Sequence, residues 1–178
     1  NEVAGMDAIV VQGVEAGGHR GSFLHDAYLP LLEFIEQVKQ VTTLPLIAAG
    51  GIASRTEVEA CLEAGASSVQ IGTGFLCATE SGASKTHKQS LLESKEGDFV
   101  LTKAFSGKEA RGIRNTFMEE MKHELLAPYP IQHWLTSRLR KESTAQNNPN
   151  YTSMWSGMRG HLAQRGTIPE LLKNSYSE

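Results

Sequence analysis

The sequence predicts an α/β fold in which strand–helix units feed a parallel sheet. Short apolar runs alternate with helical patterns through the first half, three of the runs end in glycine-containing turns, and the approach to a strand is repeated. The repeat sets EVAGMDAIVVQG (residues 2–13) beside CLEAGASSVQIG (residues 61–72): a helix end, Ala-Gly, a small or acidic residue, an apolar strand and a glycine. Units built alike are expected of a TIM (β/α)8 barrel, whose eight strands close inside a ring of helices. Three units are legible, so the expectation is part of such a barrel.

Asp7 to Gln12 (DAIVVQ) is a near-continuous apolar run, expected to be a strand buried on both faces. Leu29 to Gln40 places Leu31, Leu32, Ile35 and Val38 at roughly helical spacing and should pack one face on the sheet. Leu44 to Ala49 (LPLIAA) reads as the next strand. Ser54 to Ala64 reads as a helix, with Ser54 as N-cap, Glu57 three residues on as in a capping box, and Gly65 as the stop. Ser68 to Ile71 (SVQI) makes a third strand.

The second half differs in character. Phe99 to Phe105 suggests a short strand, Arg111 to Leu125 a helix, and Ile131 to Lys141 an amphipathic helix begun after Pro128 and Pro130. Glu142 to Asn150 (ESTAQNNPN) has the chemistry of an exposed loop. From Tyr151 onward, Trp155, Gly157 and Gly160 suggest an irregular, packed segment, because a tryptophan is rarely left in water. The expected division is a barrel portion over residues 1–98, carrying the site, and a helical appendage over residues 99–178 that folds back across the barrel mouth.

A chain of 178 residues with 40% hydrophobic and 21% charged side chains suits one folded domain rather than a disordered or fibrous class. The net charge of -3, without a clustered basic face, argues against nucleic acid. No apolar run approaches the roughly 20 residues that span a bilayer, and no charged-then-apolar leader opens the chain. The expected setting is therefore cytoplasmic, with no membrane partner. Cys61 and Cys77 have no His or Cys at metal-ligand spacing, so reduced buried thiols and no metal are expected. His25, His87, His123, His133 and His161 lie in polar or irregular surroundings and read as surface or capping residues.

The chemistry concentrates where strands end. Gly13 to Gly21 (GVEAGGHRG), Gly50-Gly51 and Gly72-Thr73-Gly74 each follow a strand, and in a TIM barrel the carboxyl ends of the strands carry the active site. Consecutive glycines let backbone N–H groups approach an anion, and a following helix N-terminus adds partial positive charge. Barrel phosphate sites often form after strands seven and eight. With Gly50-Gly51 after the seventh and Gly72-Thr73 after the eighth, the two turns would make one phosphate cradle, with the Thr73 hydroxyl as a further donor. Plain tight turns are the alternative. His19, flanked by glycines on this face, could exchange protons near neutral pH or stabilise a developing anion, or could only hydrogen-bond backbone.

GMDAIVVQGVEAGGHRG (Gly5 to Gly21), LPLIAAGGIA (Leu44 to Ala53), VQIGTGFLCATES (Val69 to Ser81) and TKAFSGKEARGIRN (Thr102 to Asn115) resemble successive blocks of the class I nitronate monooxygenases, formerly 2-nitropropane dioxygenases. The resemblance implies the carboxy-terminal portion of an FMN-dependent TIM barrel, the blocks lying on about strands six to eight. It implies FMN as cofactor, with Gly50, Gly51, Gly72 and Thr73 around the phosphate and Gln12, Gly17 and Gly18 near the ring or ribityl chain. His19 matches the family's catalytic histidine. The implied reaction is oxidation of an alkyl nitronate with O₂ to a carbonyl compound and nitrite, a neutral nitroalkane being accepted where His19 removes its proton. Trp155-Ser156-Gly157-Met158 departs from the family's pattern in the carboxy-terminal segment.

The resemblance further implies that barrel strands one to five belong to the rest of a longer chain, that the 178 residues alone are not an efficient catalyst, and that a homodimer is compatible with the family. Two other readings compete. A flavin-dependent enoyl-acyl carrier protein reductase shares the barrel, FMN and a Gly-Gly-His loop, although Gln12, Glu15 and Ala16 fit the monooxygenase better. A non-catalytic flavin- or phosphate-binding protein would make His19 structural.

Overall fold

The computed structural model describes residues 5–22 and 28–176; the expectation for His25 falls outside them. Strand β1 (Ile9–Gln12) leads through a two-residue strand β2 (Gly18–His19) to helix α1 (Leu31–Lys39). Strand β3 (Leu46–Ala49), helix α2 (Arg55–Ala64) and strand β4 (Ser68–Gln70) come next. β1, β3 and β4 form a parallel sheet in that order, with Ile9 opposite Leu46 and Ile47 opposite Ser68. Parallel neighbours need a crossover connection, and α1 and α2 supply the two crossovers.

Both helices pack on one face of this sheet, where Val11, Leu31, Ile35, Leu46, Ala48, Ile52, Cys61 and Ala66 form a core. Side chains alternate across a strand, and the helices cover only the Val11 side: Val11 is 2% exposed but Val10 is 51% exposed. Of the two faces expected to be buried, one is covered among the described residues and the Val10 face is not. Helix ends obey local chemistry. Gly65, with φ of 114°, stops α2 in the left-handed region where a side chain would be strained. The Ser54 hydroxyl donates to Glu57 (3.0 Å) instead of accepting from the helix, and Glu57 accepts the N–H of Ala53 (2.8 Å), one residue before the N-cap, so Glu57 ties down the helix start but the expected capping box does not form. α1 starts behind Pro30, which has no side-chain oxygen, and Glu15 from the glycine loop accepts the Leu31 N–H instead (3.2 Å).

The segment expected to be a helical appendage contains strands. After helix α3 (Lys85–Glu93), strands β5 (Phe99–Thr102) and β6 (Ala110–Ile113) pair antiparallel, and β2 adds to β6 to give the sheet order β2-β6-β5. All four residues of β6 are buried. Arg111 to Ile113 thus extend because both neighbours offer partners, and the helix read over Arg111 to Leu125 shrinks to α4 (Thr116–Glu120), begun where the Asn115 side chain accepts the Met118 N–H. The helix read over Ile131 to Lys141 divides at Thr136 into α5 (Ile131–Leu135) and α6 (Ser137–Ala145). α6 therefore takes the first residues assigned to an exposed loop, and the turn comes at Asn147, which has φ of 53°. A last helix, α7 (Ile168–Ser175), was not expected, although Thr167, Pro169 and Glu170 spell its capping box. Cys61 and Cys77 are free and buried, as expected. His87, His133 and His161 are half-buried rather than surface residues, and His123 is exposed. Among the described residues no helix is long and apolar enough to cross a membrane.

Ile35 is fully buried between α1 and the sheet, whereas Val41 is 80% exposed. Ile35→Ala should cost about 2–5 kcal/mol of stability through lost transfer energy and a residual cavity, and Val41→Ala should stay within about 0.5 kcal/mol. Urea unfolding midpoints for the two variants should separate accordingly; similar midpoints would place Ile35 outside the core.

Candidate active site

The loop between β1 and β2 is shaped by where its carbonyl groups go. Arg20 is 2% exposed, and its guanidinium donates to the carbonyls of Gly13 (3.1 Å), Val14 (3.4 Å), Ala16 and Gly18 (3.3 Å). Arg111, also buried, donates to the carbonyls of Val14 (2.8 Å) and Phe99 (3.2 Å). A planar fork with five N–H donors can hold several carbonyls at once, which an ammonium cannot do with the same geometry. Neither guanidinium pairs with a carboxylate among the described residues. Burial and the neighbouring Arg111 pull the Arg20 guanidinium down from its ordinary value, but an arginine in a protein stays charged. Gln12 ties the two ends of the loop, its amide donating to the His19 carbonyl (3.1 Å) and accepting the Gly21 N–H (2.8 Å).

With its carbonyls drawn to the arginines, the loop presents Gly17 and Gly18 to a cavity of about 280 Å³. Gln12, Gly17, Gly18, Gly50, Gly51, Gly72 and Thr73, the residues singled out in the sequence, all line it. The turn after β3 needs glycine: Gly50 has φ of 118°, and a Cβ there would lie 2.8 Å from the Ala16 side chain. Gly17 is a close approach, since a Cβ would come within 2.5 Å of the Gly157 nitrogen. Gly72 is different, with no atom within 4 Å of a would-be Cβ. Among the described residues, the N–H groups of Gly50, Gly51, Gly72 and Thr73 donate to no protein acceptor. Gly72 is exposed and the other three are part-buried, so these donors stand open to an anion or to water. The Thr73 hydroxyl accepts the Gly157 N–H (2.9 Å), leaving its own hydrogen free to donate. Gly72 leads into a short 3-10 turn, Thr73–Phe75, and not into the α-helix N-terminus that the sequence suggested; α2 does come after Gly50-Gly51, at Arg55.

His19 does not line this cavity itself but sits at its side. Its ring stands edge-on to Trp155, with centroids 5.4 Å apart, and Trp155 does line the cavity; Tyr129 stands 6.3 Å away on another side. The His19 Nε2 lies 2.8 Å from the Ser106 hydroxyl. Burial, reinforced by the charges of Lys108, His133, Arg140 and Arg20, holds the imidazole below its usual 6.5. A neutral imidazole near pH 7 can accept a proton.

The carboxy-terminal segment supplies the facing wall through Trp155, Gly157, Arg159 and Tyr176. Trp155 is half-buried and packs both on His19 and, within its own segment, on Phe105 (5.7 Å). Arg159 pairs with Glu57 (2.8 Å) and puts a cation beside the glycine turns. Ser106, Arg20, Arg111 and Arg159 were not singled out in the sequence. Arg20 could have been found from its place directly after His19, but nothing local marks the other three, whose relevance arises from pairing across about 90 to 100 residues of chain. Among the described residues no cluster of His, Cys, Asp or Glu could hold a metal.

A model of the nitronate monooxygenase family matches residues 1–177. The probable nitronate monooxygenase of Staphylococcus aureus strain JH9 is 47% identical over 184 residues, covering 100% of this chain and 52% of that protein. Its counterpart in Staphylococcus haemolyticus strain JCSC1435 is 42% identical over 97% of this chain and 50% of that one. Among solved structures, a nitroalkane oxidase from Streptomyces ansochromogenes is similar with a TM-score of 0.91 at 37% identity, over 97% of this chain and 51% of that chain. FabK from Thermotoga maritima is similar with a TM-score of 0.80 at 27% identity, over 98% and 54%. The chain spans about half the length of the curated relatives it matches. The match to the family model over nearly every residue, the two relatives and the glycine-lined cavity agree: the chain belongs to the nitronate monooxygenase family.

Proposed function

We propose that the protein to which these residues belong oxidises alkyl nitronates with O₂ to carbonyl compounds and nitrite, and that it takes neutral nitroalkanes where His19 first removes their proton. One observation carries this reading: a histidine held neutral stands beside a cavity whose two glycine turns offer unpaired N–H donors. The similarity to a nitroalkane oxidase supports it. Residues 1–98 are read as about strands six to eight of a TIM barrel, with strands one to five supplied by the rest of the chain, and residues 99–178 as the cover of its mouth. A homodimer in the cytoplasm is compatible with this reading.

The cofactor proposed is FMN. The residues fit it: Gly50, Gly51, Gly72 and Thr73 would hold the phosphate by backbone N–H and hydroxyl donors, with Arg159 at the rim, while Gln12, Gly17 and Gly18 would face the ring or ribityl chain. Bound there, FMN would supply the capacity to accept electrons from the nitronate. The chain's own residues do the remainder. Arg20 and Arg111 fix the loop, Trp155 and Tyr129 flank the imidazole, and His19 takes a proton from the α-carbon of a nitroalkane or positions the anion already formed.

The phosphate cradle is tested by a glycine whose replacement disturbs nothing else. Gly72→Ala places its methyl in open space, so the fold should survive while FMN affinity in a full-length enzyme falls at least about tenfold, one lost or displaced charge-assisted hydrogen bond. Fluorescence titration of FMN measures this, and unchanged affinity would remove Gly72 from the cradle.

His19→Asn should retain FMN yet lower turnover of neutral nitroalkanes by roughly 10²–10⁴-fold, the range for a lost general base. Turnover of the preformed nitronate should fall less, its proton being gone already. In the parent, protonation disables the base as pH falls, and a value held below 6.5 moves that loss to lower pH. The acid limb of kcat/KM for a neutral nitroalkane should therefore have its midpoint below 6.5. An acid limb above 6.5, or equal losses on both substrates in His19→Asn, would argue against His19 as the base.

A further inference from the structure

The buried hydroxyl beside His19 decides which ring nitrogen can act. Ser106 is 1% exposed and has three neighbours: the Lys108 carbonyl at 3.0 Å, the Lys108 N–H at 3.3 Å and His19 Nε2 at 2.8 Å. A serine hydroxyl has one hydrogen to give and two lone pairs to receive with. The Lys108 carbonyl can only accept, and the Lys108 N–H can only donate. One arrangement satisfies all three contacts: the hydroxyl donates to the Lys108 carbonyl and accepts from both the Lys108 N–H and a protonated His19 Nε2. The reverse, with Ser106 donating to His19, leaves the 3.0 Å contact between the Ser106 oxygen and the Lys108 carbonyl with no hydrogen between two acceptors.

We propose that Ser106 is a positioning residue that holds His19 as its Nε2–H tautomer, so that Nδ1 carries the free lone pair and is the base of the reaction. Nδ1 has no protein partner among the described residues. The inference rests on the reading of His19 as the base. In the step, the α-C–H bond of the nitroalkane breaks and its proton bonds to Nδ1. The electron pair moves into the nitro group to give the nitronate, and the imidazolium keeps its Nε2–H on Ser106.

Ser106 is placed for this by a rigid mount. It sits in a turn closed by the Gly107 N–H on the Lys103 carbonyl (2.8 Å). Two buried side chains of the α5–α6 region grip that turn: the Gln132 amide donates to the Ala104 carbonyl (2.8 Å), and the Thr136 hydroxyl donates to the Phe105 carbonyl (2.6 Å). A side chain so held fixes the rotation of the imidazole as well as its proton, in the way a further partner orients a catalytic histidine.

Histidine-selective ¹⁵N spectra of the full-length enzyme, taken above the His19 titration, test the tautomer without any variant at Ser106; His19→Asn identifies the resonance. Nε2 should be the protonated nitrogen and Nδ1 the unprotonated one, and the opposite assignment would overturn the proposal. Ser106→Ala should lower kcat for a neutral nitroalkane about tenfold, the worth of one hydrogen bond in the transition state, with KM little changed and the preformed nitronate nearly unaffected. Its acid limb should move to lower pH, because the imidazolium has lost an acceptor. An unchanged kcat and pH profile would show Ser106 to be structural only and sink its positioning role. Full turnover of neutral nitroalkanes by His19→Asn would instead overturn the underlying assignment of the base, whatever the tautomer.

Discussion

The site depends on two buried positive charges that, among the described residues, have no carboxylate partners. Burying a guanidinium costs several kcal/mol unless its donors are satisfied, and here the satisfaction comes from backbone dipoles: four carbonyls on Arg20 and two on Arg111. The loop from Gly13 to Gly18 therefore cannot relax without stranding a buried charge. Its shape is enforced by that penalty more than by any stability intrinsic to a glycine-rich segment, which alone would be conformationally free. The Nε atoms of both arginines lack partners, so the arrangement is tight without being saturated.

Once the loop is fixed, the rest of the chain is built against it. Gly17 touches the Ser156-Gly157 backbone, the Gly157 N–H reaches Thr73, and the Met158 N–H reaches the Glu15 carbonyl (2.9 Å). Trp155 is bridged to Gly112 on β6, the strand that also pairs with His19. Thus the parallel sheet supplies the glycine turns, the antiparallel sheet supplies the orientation of His19, and the carboxy-terminal segment locks one to the other. The cavity belongs to no single element.

What could be read in the sequence was what is decided locally. Apolar runs and helical spacing placed β1, β3, β4, α1 and α2, and post-strand glycines marked the turns after β1, β3 and β4 that line one side of the cavity. Strand pairing is decided elsewhere: Ala110 to Ile113 extend because β2 and β5 flank them, a fact that no window around Arg111 contains. Ser106 and Arg159 escaped for the same reason, their partners being distant in sequence. α7 was a different kind of miss, since Thr167 and Glu170 carry a local signal that the irregular character of the preceding residues obscured. An apolar run reports that side chains avoid water, and does not say which layer will cover each face: among the described residues nothing packs on the Val10 side of β1.

The edge-on contact between His19 and Trp155 also has an optical consequence. An indole excited state is quenched more strongly by an imidazolium than by a neutral imidazole, so protonation of His19 should dim the emission of Trp155. Trp134, two-thirds exposed at 66%, emits from a wetter place and at longer wavelength. Dimming confined to the shorter-wavelength component would then follow the proton on His19 without label or substrate.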